Sequence, residues 1–141
     1  MKKIFILIIF LICFSSSFSK EEYIYVVMNK NTPVKLSCEE VKLIYLKEIR
    51  VINGITLIPV NLPANNPVRT YFRKYILNMD EEELSIYWNE MYYEGITPPI
   101  VLKSQEAVRR FIKKVKGAIG YLTKKYIDKS MKIICSIKVE K

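Results

Sequence analysis

"GITLIPVNLPANNPVRTYF" (residues 54–72) is the stretch whose reading decides the fold. Residues 55–61 are rich in β-formers and read as a strand. The residues after it read as the mouth of a helix. Asn66 stands where an N-cap accepts from the free amides of the first turn. Pro67 comes next, at the first helical position, where its fixed φ fits and its missing N–H is least missed. A strand that passes through a short loop into a capped helix is the repeating unit of α/β proteins. Two cations, Arg69 and Arg73, fall within the next turns. Helix N-termini attract anions through unpaired amides and the macrodipole, so the same loop is a candidate oxyanion site. Its residues are Asn65, Asn66, Val68, Arg69 and Thr70.

The rest of the chain continues the alternation. "YIYVVMN" (23–29) is a near-continuous run of β-formers, as expected of a strand buried on both faces. In "TPVKLSCEEVKLIYLKEI" (32–49), Ser37 and Glu40 have capping-box spacing, and Val41, Ile44 and Tyr45 form the helical stripe behind them. Asn53-Gly54 suits a hairpin with 50–52, but so short a flank reads better as a tight loop into a parallel strand. The helix from Pro67 places Val68, Tyr71, Phe72, Tyr75 and Ile76 on one face and ends at Asn78. The next opens with Asp80 as N-cap and Glu83 three residues on. Its Leu84, Tyr87, Trp88, Met91 and Tyr92 have the spacing of a core stripe, which predicts a buried Trp88 and leaves Tyr93 outward. Gly95 stops it. "PPIVL" (98–102) is a short strand. Ser104 then caps a helix with Val108, Phe111, Ile112 and Val115 inward and Gly117 as its C′ residue. Arg109, Arg110, Lys113, Lys114 and Lys116 form its solvated face. "AIGYL" (118–122) and "MKIICSIKV" (131–139) are the last strands. No repeat or low-complexity linker interrupts them. The pattern predicts an α/β sandwich with a parallel or mixed sheet, and ligands on such sheets bind beyond the carboxyl ends of the strands.

The chain has 141 residues and opens "MKKIFILIIFLICFSSSFSK". Two lysines, an apolar run from Ile4 to Phe14 and then serines have the layout of a secretory signal peptide. Residues 1–19 are expected to be removed after Ser19, leaving one domain at 20–141 in the periplasm or otherwise exported. The run is short for a transmembrane helix. Bulky Ile12 argues against lipidation of Cys13, which reads as filler in the run. The signal takes two lysines and no acid from a net charge of +9, so the domain stays basic and suits anionic solutes, anionic lipid surfaces or acidic partners. Export argues against nucleic acid. Half the residues are apolar, which excludes a disordered chain. There is no histidine, which removes His-based catalysis and most zinc sites. No nucleophile–base pair or metal set can be named, so no enzyme, cofactor or metal is expected. Cys38 opens a helix and Cys135 sits in an apolar strand; these unlike settings favour two free thiols over a bridge.

The order "YVVMNKNTPVKLSCEEVKLIYL", "GITLIPVNL", a capped helix with "YFRKYIL", "YWNE" and "GAIGYL" resembles the substrate-binding proteins of phosphate ABC transporters, over roughly residues 23–139. The chain looks like one lobe of them. The resemblance implies a single lobe of the type II periplasmic-binding-protein-like fold, a central mixed sheet flanked by helices. It also implies a non-enzymatic transport role, with phosphate or a similar oxyanion as ligand and an ABC permease as partner. A second copy of the chain would supply the missing lobe. In the family the ion is held by an arginine and a Ser-Gly-Thr at a helix N-terminus. Matched on Phe72, that triplet falls on Asn66, Pro67 and Val68, and the arginine falls near Leu62. The departures imply weak binding, or an envelope interaction module that kept the fold and lost the ligand.

Overall fold

The computed structural model describes residues 21–140; the expected signal peptide lies outside them. Strand β1 (Glu22–Asn29) lies inside the sheet, and Val26, Val27 and Met28 are fully buried, as their apolar run requires. Helix α1 (Cys38–Tyr45) starts on the predicted capping box: Ser37 Oγ accepts from the Glu40 amide, and the Glu40 carboxylate accepts from the Ser37 amide. Its buried face is Val41, Ile44 and Tyr45.

The reading of 50–61 needs correction. Strands β2 (Val51–Ile52) and β3 (Ile55–Thr56) pair as an antiparallel hairpin, separate from the main sheet. The turn residues Asn53 (φ 50°) and Gly54 (φ 75°) are both left-handed, the conformation a two-residue hairpin turn demands, and this local chemistry outweighs the shortness of the strands. The predicted strand at 55–61 is therefore divided, and only β4 (Ile58–Asn61) enters the sheet.

Helix α2 (Pro67–Phe72) passes into a π-helical turn (Arg73–Leu77) and ends on Asn78, left-handed as a helix stop should be. The wider turn shifts the buried position, so Leu77 is buried and Ile76 only half-buried. Helix α3 (Glu81–Tyr93) begins on Asp80, whose side chain accepts from the Glu83 amide. Its stripe is not a core stripe along its length. Leu84 is buried, Trp88 is half-buried and Tyr92 is 74% exposed, so the expectation of a buried Trp88 does not hold. Strand β5 (Ile100–Val101) comes next, then helix α4 (Gln105–Lys114), capped by Ser104 and inward at Val108 and Ile112. Its C-cap is Val115, and Gly117 makes the turn beyond it rather than serving as C′. Strand β6 (Ala118–Thr123), a 3-10 turn (Lys124–Tyr126) and strand β7 (Met131–Val139) complete the domain.

The five-stranded sheet has the order β5-β4-β6-β1-β7. Strands β4, β5 and β6 are mutually parallel, while β1 runs antiparallel to both β6 and β7. This is the mixed sheet flanked by helices that the alternation predicted. On one face α4 closes against β6 at Gly120, where a Cβ would lie 2.7 Å from Val108 Cγ1 and 2.8 Å from Ile112 Cδ1. Its C-terminal carbonyls at Ile112 and Lys113 accept from the Asn29 side chain of β1, at 2.9 and 3.3 Å. Side chains alternate along a strand, so Tyr121 points to the opposite face. There its ring stacks on Phe72 of α2 (centroids 4.0 Å apart, 6° between planes), and Tyr45 of α1 leans on Phe72 at 4.6 Å.

The cysteine expectation is overturned on this same face: Cys38 and Cys135 form a disulfide, with Cα atoms 5.7 Å apart across a sequence separation of 97. Cys135 is opposite Val26 in the ladder, and Val26 is opposite Tyr121, so the bridge pins the first residue of α1 to the edge strand.

Arg109 is partly drawn out of the predicted solvated face. It bridges Glu106 (2.8 Å) and Asp128 (2.9 Å), tying α4 to the loop before β7. Hydrogen bonds from Arg109 hold the Glu106 carboxyl down to about 2, against an ordinary 4.5, and Ser130 and Arg109 lower Asp128. Depressed carboxyl values stabilise the folded chain above the ordinary value and lose that effect as pH falls through the folded one. Denaturant midpoints should therefore drop between pH 4.5 and about 2. Glu106→Gln should flatten part of that fall; an unchanged profile would exclude the cluster as its source.

Candidate ligand edge at the carboxyl ends of the parallel strands

Because β4, β5 and β6 are parallel, their carboxyl ends at Asn61, Val101 and Thr123 meet on one edge of the sheet. The N-termini of α2 and α4 gather at this edge, as expected for a ligand edge in an open α/β sheet. The α4 end is occupied by protein: Gln105 Oε1 accepts from the Thr123 amide (2.8 Å) and hydroxyl (3.0 Å).

The α2 end is built from residues 62–70. Asn66 is the N-cap, and its Oδ1 accepts from the Val68 amide at 2.9 Å. The Asn66 amide donates to the Pro63 carbonyl, closing the turn that leads into the helix. Arg69 folds back: its Nη1 donates to the Leu62 carbonyl at 2.8 Å, so the guanidinium braces the loop that carries it. Asn65 and Thr70 are exposed. Arg73, the second cation of the opening stretch, belongs elsewhere. It donates to the Met79 carbonyl and pairs with Glu81 at 2.9 Å, at the far end of the helix. The predicted residues thus meet at one loop–helix junction, but two of its strongest donors are turned inward.

Beneath the loop lies a buried polar pair that periodicity could not identify. The Tyr121 hydroxyl donates to Asn61 Oδ1 and accepts from the Leu62 amide at 3.2 Å. Burial raises the Tyr121 hydroxyl well above its ordinary value, against the opposing Leu62 amide and Arg69 charge, so it stays protonated and acts as a donor. Tyr45 is raised in the same way by burial, and it donates to the Val60 carbonyl at 2.8 Å. These tyrosines fix the end of β4 from below, and Arg69 fixes Leu62 from above.

A groove of about 580 Å³ opens beside the loop. Pro67, Val68 and Tyr71 of α2 form one wall; Ile24, Thr123 and Val139 lie on the strands; Lys124 and Lys125 stand at the rim. Sequence reading missed it because its parts come from five separate elements. The one available signal was two lysines directly after a strand that ends at the ligand edge. Among the described residues no group of three or more His, Cys, Asp or Glu side chains could hold a metal ion, and no helix is long and apolar enough to cross a membrane.

No family model matches this chain, and no curated protein matches it in sequence. Solved structures do match its fold. An ABC-type phosphate transport receptor from Vibrio cholerae superposes with a TM-score of 0.65 at 21% identity, over 81% of this chain and 46% of that one. A phosphate ABC transporter substrate-binding protein with bound phosphate from Clostridium perfringens gives 0.65 at 22% identity, over 81% and 44%. PstS from Borrelia burgdorferi gives 0.61 at 17%, over 81% and 47%. The chain thus spans a little under half the length of each of these proteins. Its fold is that of a single lobe of the phosphate ABC transporter substrate-binding proteins.

Proposed function

We propose that this chain is an exported, non-enzymatic binding module that holds phosphate or a similar oxyanion weakly at the mouth of α2. Its ligand residues are Asn65, Asn66, Val68, Arg69 and Thr70, and an ABC permease is the partner that fits a transport role. The single observation that carries the weakness is the inward commitment of donors. The Val68 amide is held by Asn66 and the Arg69 guanidinium by Leu62, so an ion must displace one or both. What remains is the Thr70 hydroxyl, the Asn65 side chain and the Arg69 amide of the first turn, whose amides have no partner inside the helix. A strong site needs aligned donors and a bidentate arginine in a cleft closed to water. Export rests on the residue pattern of 1–19 alone.

Calorimetric titration of residues 20–141 with phosphate at low salt should give a dissociation constant on the order of 0.1 mM or weaker. Micromolar binding abolished by Arg69→Ala would mean that the guanidinium leaves Leu62 for the ion, and that the module is a true solute receptor. Complete absence of binding would favour the second reading, an envelope interaction module without a ligand. That reading draws support from α3, whose Tyr92 and Tyr93 are 74% and 89% exposed beside half-exposed Ile86.

A further inference from the structure

We propose that the groove beside α2 takes an amphipathic organic anion, a small aromatic or aliphatic body bearing a phosphate, sulfonate or carboxylate head. The inference rests on the binding role proposed for this edge and names the class of ligand. The strand register supplies the floor: Val26 is opposite Tyr121, so Ile24, Thr123 and Val139 share the sheet face on which α2 packs. Val68 and Tyr71 rise from that floor as a wall, and both are half-buried. A bare phosphate has no apolar surface to lay against such a wall, whereas a ring or short chain does. At about 580 Å³ the groove lies within the range of about 300–1,000 Å³ common to small-molecule sites, much larger than one oxyanion needs.

The rim supplies the sign of the head. Glu21 is held by Lys138 at 3.1 Å and by the Tyr23 hydroxyl at 3.2 Å, and Glu22 is also engaged. Lys124 and Lys125 are exposed, and Lys125 rests over the Tyr126 ring at 5.5 Å. The charge left for a ligand is positive and stands on flexible stems that can follow a head at the mouth of the groove.

The test compares phenyl phosphate with inorganic phosphate by calorimetry on residues 20–141, since the two share a head and differ in the body. Phenyl phosphate should bind about tenfold or more tightly than inorganic phosphate, and the exposed double change Lys124→Glu/Lys125→Glu should remove about tenfold of its affinity. Tyr71→Ala, with its fold checked by circular dichroism, should erase the preference for the phenyl compound. Equal affinities for the two ligands would overturn the inference and leave the weak oxyanion reading standing. Phenyl phosphate binding without any phosphate binding would do the reverse. If neither binds, or if the lysine changes leave phenyl phosphate unaffected, the groove is not this site.

Discussion

Breaking the Cys38–Cys135 bridge is expected to lower the unfolding free energy by about 2–5 kcal/mol, a large part of the stability of a domain this size. The bridge closes a loop with a sequence separation of 97, which takes in every element from α1 to β7 and leaves β1 outside. In the chain-entropy account a loop of about that length removes roughly 4–5 kcal/mol of freedom from the unfolded ensemble, and measured values usually fall somewhat below. The folded chain has little to put in its place. Helix α1 is eight residues long, well below the length at which an isolated helix holds in water. Its capping box and buried face keep it helical, while the disulfide anchors its first turn to β7. Urea titrations of the oxidised protein, the reduced protein and Cys38→Ala/Cys135→Ala should place the last two together, well below the first. Coincidence of all three would mean that the bridge contributes nothing. Intact mass under non-reducing conditions should be lighter than the reduced form by the two thiol hydrogens.

Legibility from the residues alone tracks the range of the forces involved. The loop and capped helix at 62–72 were legible because capping is local chemistry, and Asn66, Pro67 and Val68 stand as their types demand. The caps at Ser37, Asp80 and Ser104 were legible for the same reason. The strand before Asn66 reads too long from the residues alone, because the Asn53-Gly54 hairpin takes Ile55 and Thr56 out of the sheet. The stripe on α3 misled because a helical period reports that one face is apolar, not that something covers it; Tyr92 keeps the spacing of a core residue and faces solvent. The bridge was illegible because local context places Cys38 and Cys135 in unlike settings, and only the sheet register and the seat of α1 bring them together. At the candidate site the contact between Asn66 and Val68 could be anticipated, since the two are neighbours. The fate of Arg69 could not be, because a long side chain in a first turn reaches outward or back with equal ease, and here the Leu62 carbonyl decides it. The groove needed the whole topology.

Phe72→Ala should cost about 3–5 kcal/mol of stability, the range for removing a buried aromatic ring and leaving its cavity. The residue is 1% exposed and lies face to face with Tyr121 at 4.0 Å, with Tyr45 packed beside the ring at 4.6 Å and 6.1 Å from Tyr121. No neighbour can collapse into the space cheaply, because both tyrosine hydroxyls are held by backbone at the end of β4 and by Asn61. The energetic loss should therefore reach the ligand edge. If Tyr121 moves into the space of the missing ring, Asn61 Oδ1 loses its donor and the Leu62 amide its acceptor, and a buried polar group left unpaired adds about 1–3 kcal/mol. Loss of stability and loosening of the α2 loop are then one event. Phe72→Leu, which keeps most of the volume, should cost clearly less and preserve the near-ultraviolet circular dichroism of the tyrosines. Phe72→Ala should weaken that signal while the far-ultraviolet spectrum of any folded fraction persists. Equal destabilisation by Leu and Ala would place the cost in the lost aromatic stacking rather than in the cavity. A loss below about 1 kcal/mol for Ala would mean that the core repacks and that the loop does not depend on this ring.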